Sequence, residues 1–115
     1  MSTLCGTPFE NYVWLNSWRR YFPLSQGWTI EPQKLLAGRY RVDFAAWQGN
    51  LRAVGDAKDK ARLTLDDVEK LLWDAGIFKA QDLYLFIAGD THISDSVWNY
   101  ADRNGIEIVQ TRWRS

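Results

Sequence analysis

Three residues in the stretch 40–60, YRVDFAAWQGNLRAVGDAKDK, have types and spacing that can do chemistry: Asp43, Asp56 and Lys58. The stretch reads as two strands about a tight turn. Residues 40–47 are apolar and aromatic, 51–57 are mostly small and apolar, and Gly49-Asn50 lies between them. Glycine takes the positive φ that a two-residue hairpin loop demands. With Gly49-Asn50 as the loop, Gln48 faces Leu51, and counting outward in step sets Asp43 directly opposite Asp56. Opposed residues share a face, with Cβ atoms roughly 4.5–5.5 Å apart. Lys58, two positions beyond Asp56, shares that face as well.

Opposed carboxylates repel, and a fold gains nothing from them. A hard divalent cation between them reverses the sign. Mg²⁺, or Mn²⁺ in its place, takes oxygen ligands, commonly one or two carboxylates completed by phosphate and water. Lys58 beside it would hold a phosphate or orient a water. The set points to metal-assisted phosphodiester hydrolysis.

The surrounding chain must position these groups. Thr7-Pro8-Phe9-Glu10 opens a helix, with Thr7 as N-cap, Pro8 at the first helical position and Glu10 closing a capping box. This helix is predicted to run to about Tyr21, with Phe9, Val13 and either Leu15 or Trp14 inward, and Pro23 ends it. Gly27-Trp28-Thr29-Ile30 begins a short strand, and Pro32 through Gly38 reads as a connector. After the hairpin, Thr64 caps a helix with Leu65, Val68, Leu71, Leu72 and Ala75 inward, stopping at Gly76 or just past it. The apolar run 83–88 fits a strand buried on both faces. Ser94 or Ser96 caps a further helix with Val97, Trp98 and Ala101 inward; Gly105 closes it and 106–109 is a last strand. The order is α-β-β-β-α-β-α-β, an α/β domain with a mixed sheet and helices on both faces. The second hairpin strand and 83–88 are expected to run parallel, because a helix joins them.

Asp43 followed by Asp56-Ala57-Lys58 after a hairpin resembles the PD-(D/E)XK nuclease signature. Gly6-x-x-Phe9-Glu10, Gly27-Trp28, Ile93-Ser94 through Tyr100-Ala101, and Gly105-Ile106 resemble, in order, segments of Mrr-type restriction endonuclease domains. Archaeal Holliday-junction resolvases belong to the same superfamily. The resemblance implies a restriction-endonuclease-like fold and an Mg²⁺-dependent DNA endonuclease. It implies Asp43, Asp56, the Ala57 carbonyl and Glu10 as metal ligands, Glu10 directly or through water, and Lys58 as the group that positions or activates the attacking water. The chain departs from the pattern at Arg41-Val42, where a Gly-containing turn is usual, and at Asp-Ala-Lys, where Mrr has Gln-x-Lys.

The 115 residues fit one domain, 1–115. The formal net charge is zero, whereas stand-alone nucleic-acid binders are usually basic, so contact with DNA must use a local patch, an assembly or a metal. Arg39, Arg41, Lys60 and Arg62 flank the hairpin acids and are the expected phosphate contacts. Cys5 and His92 are each single, which excludes an intrachain disulfide, a Cys/His zinc site and a catalytic His pair. No apolar run approaches the ~18 residues of a membrane span and no leader pattern opens the chain, so a cytoplasmic protein is expected. A homodimer is expected too, because one small site cuts one strand. The rival class is a non-catalytic nucleic-acid- or protein-binding module on the same fold, or a nuclease subunit of a larger defence, transposition or recombination complex.

Overall fold

Helix formation begins where the capping residues place it. In the computed structural model, which describes residues 6–114, Thr7 is extended and its Oγ1 accepts from the Glu10 backbone N–H at 3.1 Å. Such a cap is worth ~1 kcal/mol. Residues 1–5, including Cys5, and Ser115 lie outside the described residues. From the cap, α1 (Pro8–Val13) widens into a π-helical segment (Trp14–Trp18) and finishes as a single turn, α2 (Arg19–Tyr21). The wide turn keeps Trp14 and Trp18 on the buried side with Phe9 and Val13, and leaves Leu15 exposed. Trp18 lies over Gly55, where a Cβ would come within 2.7 Å of its ring.

The sheet has five strands in the order β1 (Thr29–Leu36), β2 (Tyr40–Gln48), β3 (Leu51–Lys58), β4 (Asp82–Ile87) and β5 (Ile106–Gln110). β1, β2 and β3 are antiparallel; β3, β4 and β5 are parallel, as the intervening helices require. Of the expected connector over 32–38, residues 32–36 are instead the second half of β1, and only 37–38 are turn. An edge strand can seat Pro32, whose missing N–H then faces the open side.

Gln33 interrupts β1 with φ 52. Its neighbours Pro32 and Lys34 pair with Phe44 and Val42, and strict alternation fails on both strands at this level. Phe44 packs toward α1, whereas Val42 and Ala45 both pack on the opposite face.

α3 (Leu65–Phe78) carries a full capping box between Thr64 and Asp67. Gly76 lies inside it, Lys79 ends it at φ 57, and Leu65 is exposed rather than inward. α4 (Asp95–Arg103) is capped by Ser94, and Trp98, expected inward, faces solvent. Phe9, Trp18, Phe44 and Phe86 form the core on the α1 side; Val42, Val54, Leu71, Leu85 and Val97 form the one under α3 and α4. Leu85 and Phe86 serve opposite faces, which explains the unbroken apolar run of β4. Each fully buried large side chain contributes ~1.5–3 kcal/mol. No helix among the described residues is long and apolar enough to cross a membrane.

Candidate active site

The β2–β3 ladder runs from Gln48–Leu51 to Phe44–Gly55, in the register the loop dictates. The next rung is Asp43 and Asp56, and there side chains replace backbone. The Asp43 N–H donates to Asp56 Oδ1 at 3.1 Å, and the Ala57 N–H donates to Asp43 Oδ2 at 2.9 Å. Beyond this point β2 continues along β1 while Ala57 and Lys58 pair with Phe86 and Ile87 of β4. The carboxylates therefore sit where the two strands part.

Asp56 is 1% exposed, and its Oδ2 is buried with no hydrogen-bond partner. Lys70 of α3 brings its ammonium to 3.7 Å from that oxygen. The same Nζ donates to Asp74 Oδ2 at 2.8 Å and to the Arg41 carbonyl at 3.3 Å. Partial burial works against the charge of Lys70, but Asp56, Asp74 and Asp43 outweigh it and hold its pKa above the usual lysine value. Burial pushes the Asp74 carboxyl up despite the Lys70 bond.

Asp43 is pushed up to about 7, first by burial and then by the charge of Asp56. Glu10 adds to the rise; the Ala57 N–H and the Lys58 charge oppose it. Glu10 reaches the site from α1 through an intermediary. Gln33 Nε2 donates to Glu10 Oε2 at 2.6 Å and stands 3.5 Å from Asp43 Oδ1. The Phe9 and Tyr12 rings pack against Trp113, at 5.8 and 5.2 Å, and this fixes the helix that carries Glu10. Lys58 is half-buried at the end of β3 and forms no ion pair or side-chain hydrogen bond with the described residues.

The donor set suits a hard divalent cation: carboxylate oxygens, one of them buried without a hydrogen bond, beside an Asp43 carboxyl raised by burial and by the charge of Asp56. Among the described residues no three His, Cys, Asp or Glu side chains are grouped closely enough to cage a metal alone. Any ion here would draw on Asp43 and Asp56, with water, phosphate or backbone oxygen completing its shell. Glu10 stands one amide away from Asp43.

The four flanking bases are not equivalent. Lys60 donates to Asp67 Oδ2 at 2.9 Å and so belongs to the N-terminus of α3. The Arg39 guanidinium lies 5.5 Å from the Tyr40 ring centroid. Arg41 and Arg62 are exposed, and Arg62 bridges by its backbone to His92. The pocket between Arg19, Arg20 and Leu24 lies elsewhere, on the α2 side.

Gln33, Lys70 and Asp74 are the site neighbours that the sequence reading passed over. Asp74 left a signal: it falls between Leu71 and Ala75 on the inward face of α3, where a carboxylate needs a partner. Gln33 left none, being hidden in a stretch that reads as a loop.

No protein-family model and no curated protein matches the chain. Among solved structures, a repair endonuclease from Pyrococcus abyssi aligns with TM-score 0.58 at 15% identity, over 88% of this chain and 44% of its own. A protein of unknown function aligns with TM-score 0.56 at 14% identity, over 74% of this chain and 50% of its own. The chain shares their fold. It is the α/β, restriction-endonuclease-like arrangement expected from the element order. The chain spans about half the length of the structures it matches.

Proposed function

We propose that this domain is a metal-dependent DNA endonuclease of PD-(D/E)XK type, Mrr-like or junction-resolvase-like. The observation that carries the reading is the parting of β2 and β3 at Asp43 and Asp56, with Lys58 one step further along and uncommitted. The fold shared with a repair endonuclease supports it.

Asp43 and Asp56 would hold Mg²⁺, with the Ala57 carbonyl as a further oxygen and Glu10 acting through water. When bound, the ion supplies charge that polarises the phosphate and acidifies water. Lys58, a compact ammonium on the face of Asp56, orients the attacking water and offsets the charge that develops on the phosphate oxygens. Arg39, Arg41 and Arg62 contact flanking phosphates and set the register of the duplex without reading its sequence. Two sites in a homodimer would serve the two strands of a duplex or junction.

The Lys70 ammonium beside Asp56 favours a second reading, in which the acids are neutralised internally and the domain only binds. Incubation with Mg²⁺ or Mn²⁺ and plasmid, linear, branched and single-stranded DNA, and RNA, separates the two. Nicking or cleavage that EDTA stops is expected. Binding to these substrates with no cleavage by stoichiometric protein would establish the second reading.

A further inference from the structure

We infer that Gln33 is a positioning residue that draws Glu10 out of its helix cap and toward Asp43. The inference rests on the reading of the Asp43–Asp56 site given above and names how that site is completed.

Glu10 lies three residues after the N-cap Thr7, where a glutamate ordinarily reaches back to the N-cap N–H. Here only half of that exchange forms. Thr7 Oγ1 accepts from the Glu10 N–H, but Glu10 Oε2 accepts from the Gly6 N–H at 3.0 Å and from Gln33 Nε2 at 2.6 Å. The Gln33 amide has two N–H groups and no charge. It can hold two anionic groups side by side, and its second neighbour is Asp43 Oδ1. Bonds to ionised acceptors are the strong ones.

The backbone is shaped to deliver this amide. Gln33 is in the left-handed region, at φ 52, in the middle of an edge strand whose neighbouring residues keep their pairing with β2. A non-glycine residue there is uncommon, and such strain persists where the surroundings over-determine it. Gln33 stands at the level of Asp43, where alternation fails on both strands. A regular strand would not bring one side chain to both Asp43 and Glu10. The Gln33 amide thus links an acid on α1 to an acid on β2.

The test is a double-mutant cycle read by calorimetric titration of the intact chain with Ca²⁺, which occupies an oxygen-ligand site independently of turnover. Gln33→Ala keeps the Cβ and so does not relax the backbone. It should weaken Ca²⁺ binding about tenfold, the scale of one charge-assisted hydrogen bond. In a Glu10→Gln background the same change should add little, because residues acting through one another are not additive. Gln33→Asn tolerates the left-handed conformation but its amide is one methylene short, so it should behave as Gln33→Ala and stands in for it if that variant does not fold. Unchanged or tighter Ca²⁺ binding by either Gln33 variant, a full additional loss in the Glu10→Gln background, or no effect of Glu10→Gln itself would overturn the inference while leaving the site intact. A wild-type chain that takes up no Ca²⁺ would overturn both the inference and the site reading.

Discussion

The Asp43 backbone N–H donates to Asp56 Oδ1 at 3.1 Å, in the place where the next rung of the β2–β3 ladder would lie. One oxygen of Asp56 thereby closes the hairpin, and the other faces Lys70 without a hydrogen bond. Asp56→Asn keeps an oxygen that can accept from Asp43 and loses the charge. Lys70 retains Asp74 as a partner. The substitution should therefore cost about 1–2 kcal/mol in EDTA, measured by chemical denaturation, and abolish metal-dependent cleavage. Asp56→Ala, which removes the acceptor, should cost more. A chain that Asp56→Asn unfolds outright would make the residue structural only.

Asp43 predicts a pH dependence. Its carboxyl is pushed up to about 7 by burial and by Asp56, so the native state keeps a proton that the unfolded chain sheds near pH ~4. The stability this proton contributes is fully present below about pH 4 and is lost as pH rises to about 7. In EDTA, the stability of the wild type relative to Asp43→Asn should fall across that window and level off above it. Cation binding runs the other way: the ion competes with the proton, so Ca²⁺ affinity should fall about tenfold per pH unit below the Asp43 pKa. A stability difference that is flat across this range would mean that Asp43 is ionised throughout.

The hairpin register was legible in the sequence because its loop is short. Gly49 adopts φ 60, Gln48 pairs with Leu51, and every later pair follows. Helix starts were legible for a similar reason: Thr7, Thr64 and Ser94 each use a side-chain oxygen on a local N–H. The π-helical turn and Gln33 were not. A left-handed residue inside a strand has no local signature, and Pro32 beside it reads as a break. Asp74 was marked by its place on the inward face of α3, but Lys70 reads as no more than its partner one helical turn away. Only packing of α3 on the sheet brings Lys70 to Asp56.

Gly55 makes a prediction about how α1 is seated. An added Cβ would lie 2.7 Å from Trp18 and 3.2 Å from Phe86. Trp18 cannot yield easily, since its Nε1 donates to the Ala45 carbonyl at 3.2 Å and its ring stacks on Phe44. Gly55→Ala should cost about 1–3 kcal/mol by overpacking, seen as a lowered denaturation midpoint with unchanged slope. Because α1 carries Glu10, the substitution should also weaken Ca²⁺ binding. A midpoint equal to wild type would mean that Trp18 is not seated against the hairpin.

Lys58 and Lys60 lie two residues apart and make opposite predictions. Lys58 forms no ion pair or side-chain hydrogen bond among the described residues, whereas Lys60 is bound to Asp67 in the α3 cap. If Lys58 acts on the transition state, Lys58→Ala should lower turnover by orders of magnitude and leave DNA affinity in Ca²⁺ little changed. Arginine at that position should rescue poorly, since its wide fork does not replace a compact ammonium. Lys60→Ala should lose ~0.5–1 kcal/mol of stability with its partly exposed ion pair. Its turnover should stay near wild type, and any loss of DNA affinity should come with a salt dependence flatter by about one counterion. Single-turnover cleavage paired with DNA titrations at several salt concentrations resolves the two patterns. Cleavage by Lys58→Ala at the wild-type rate would reduce the Asp-Ala-Lys spacing to coincidence and leave the domain a binding module.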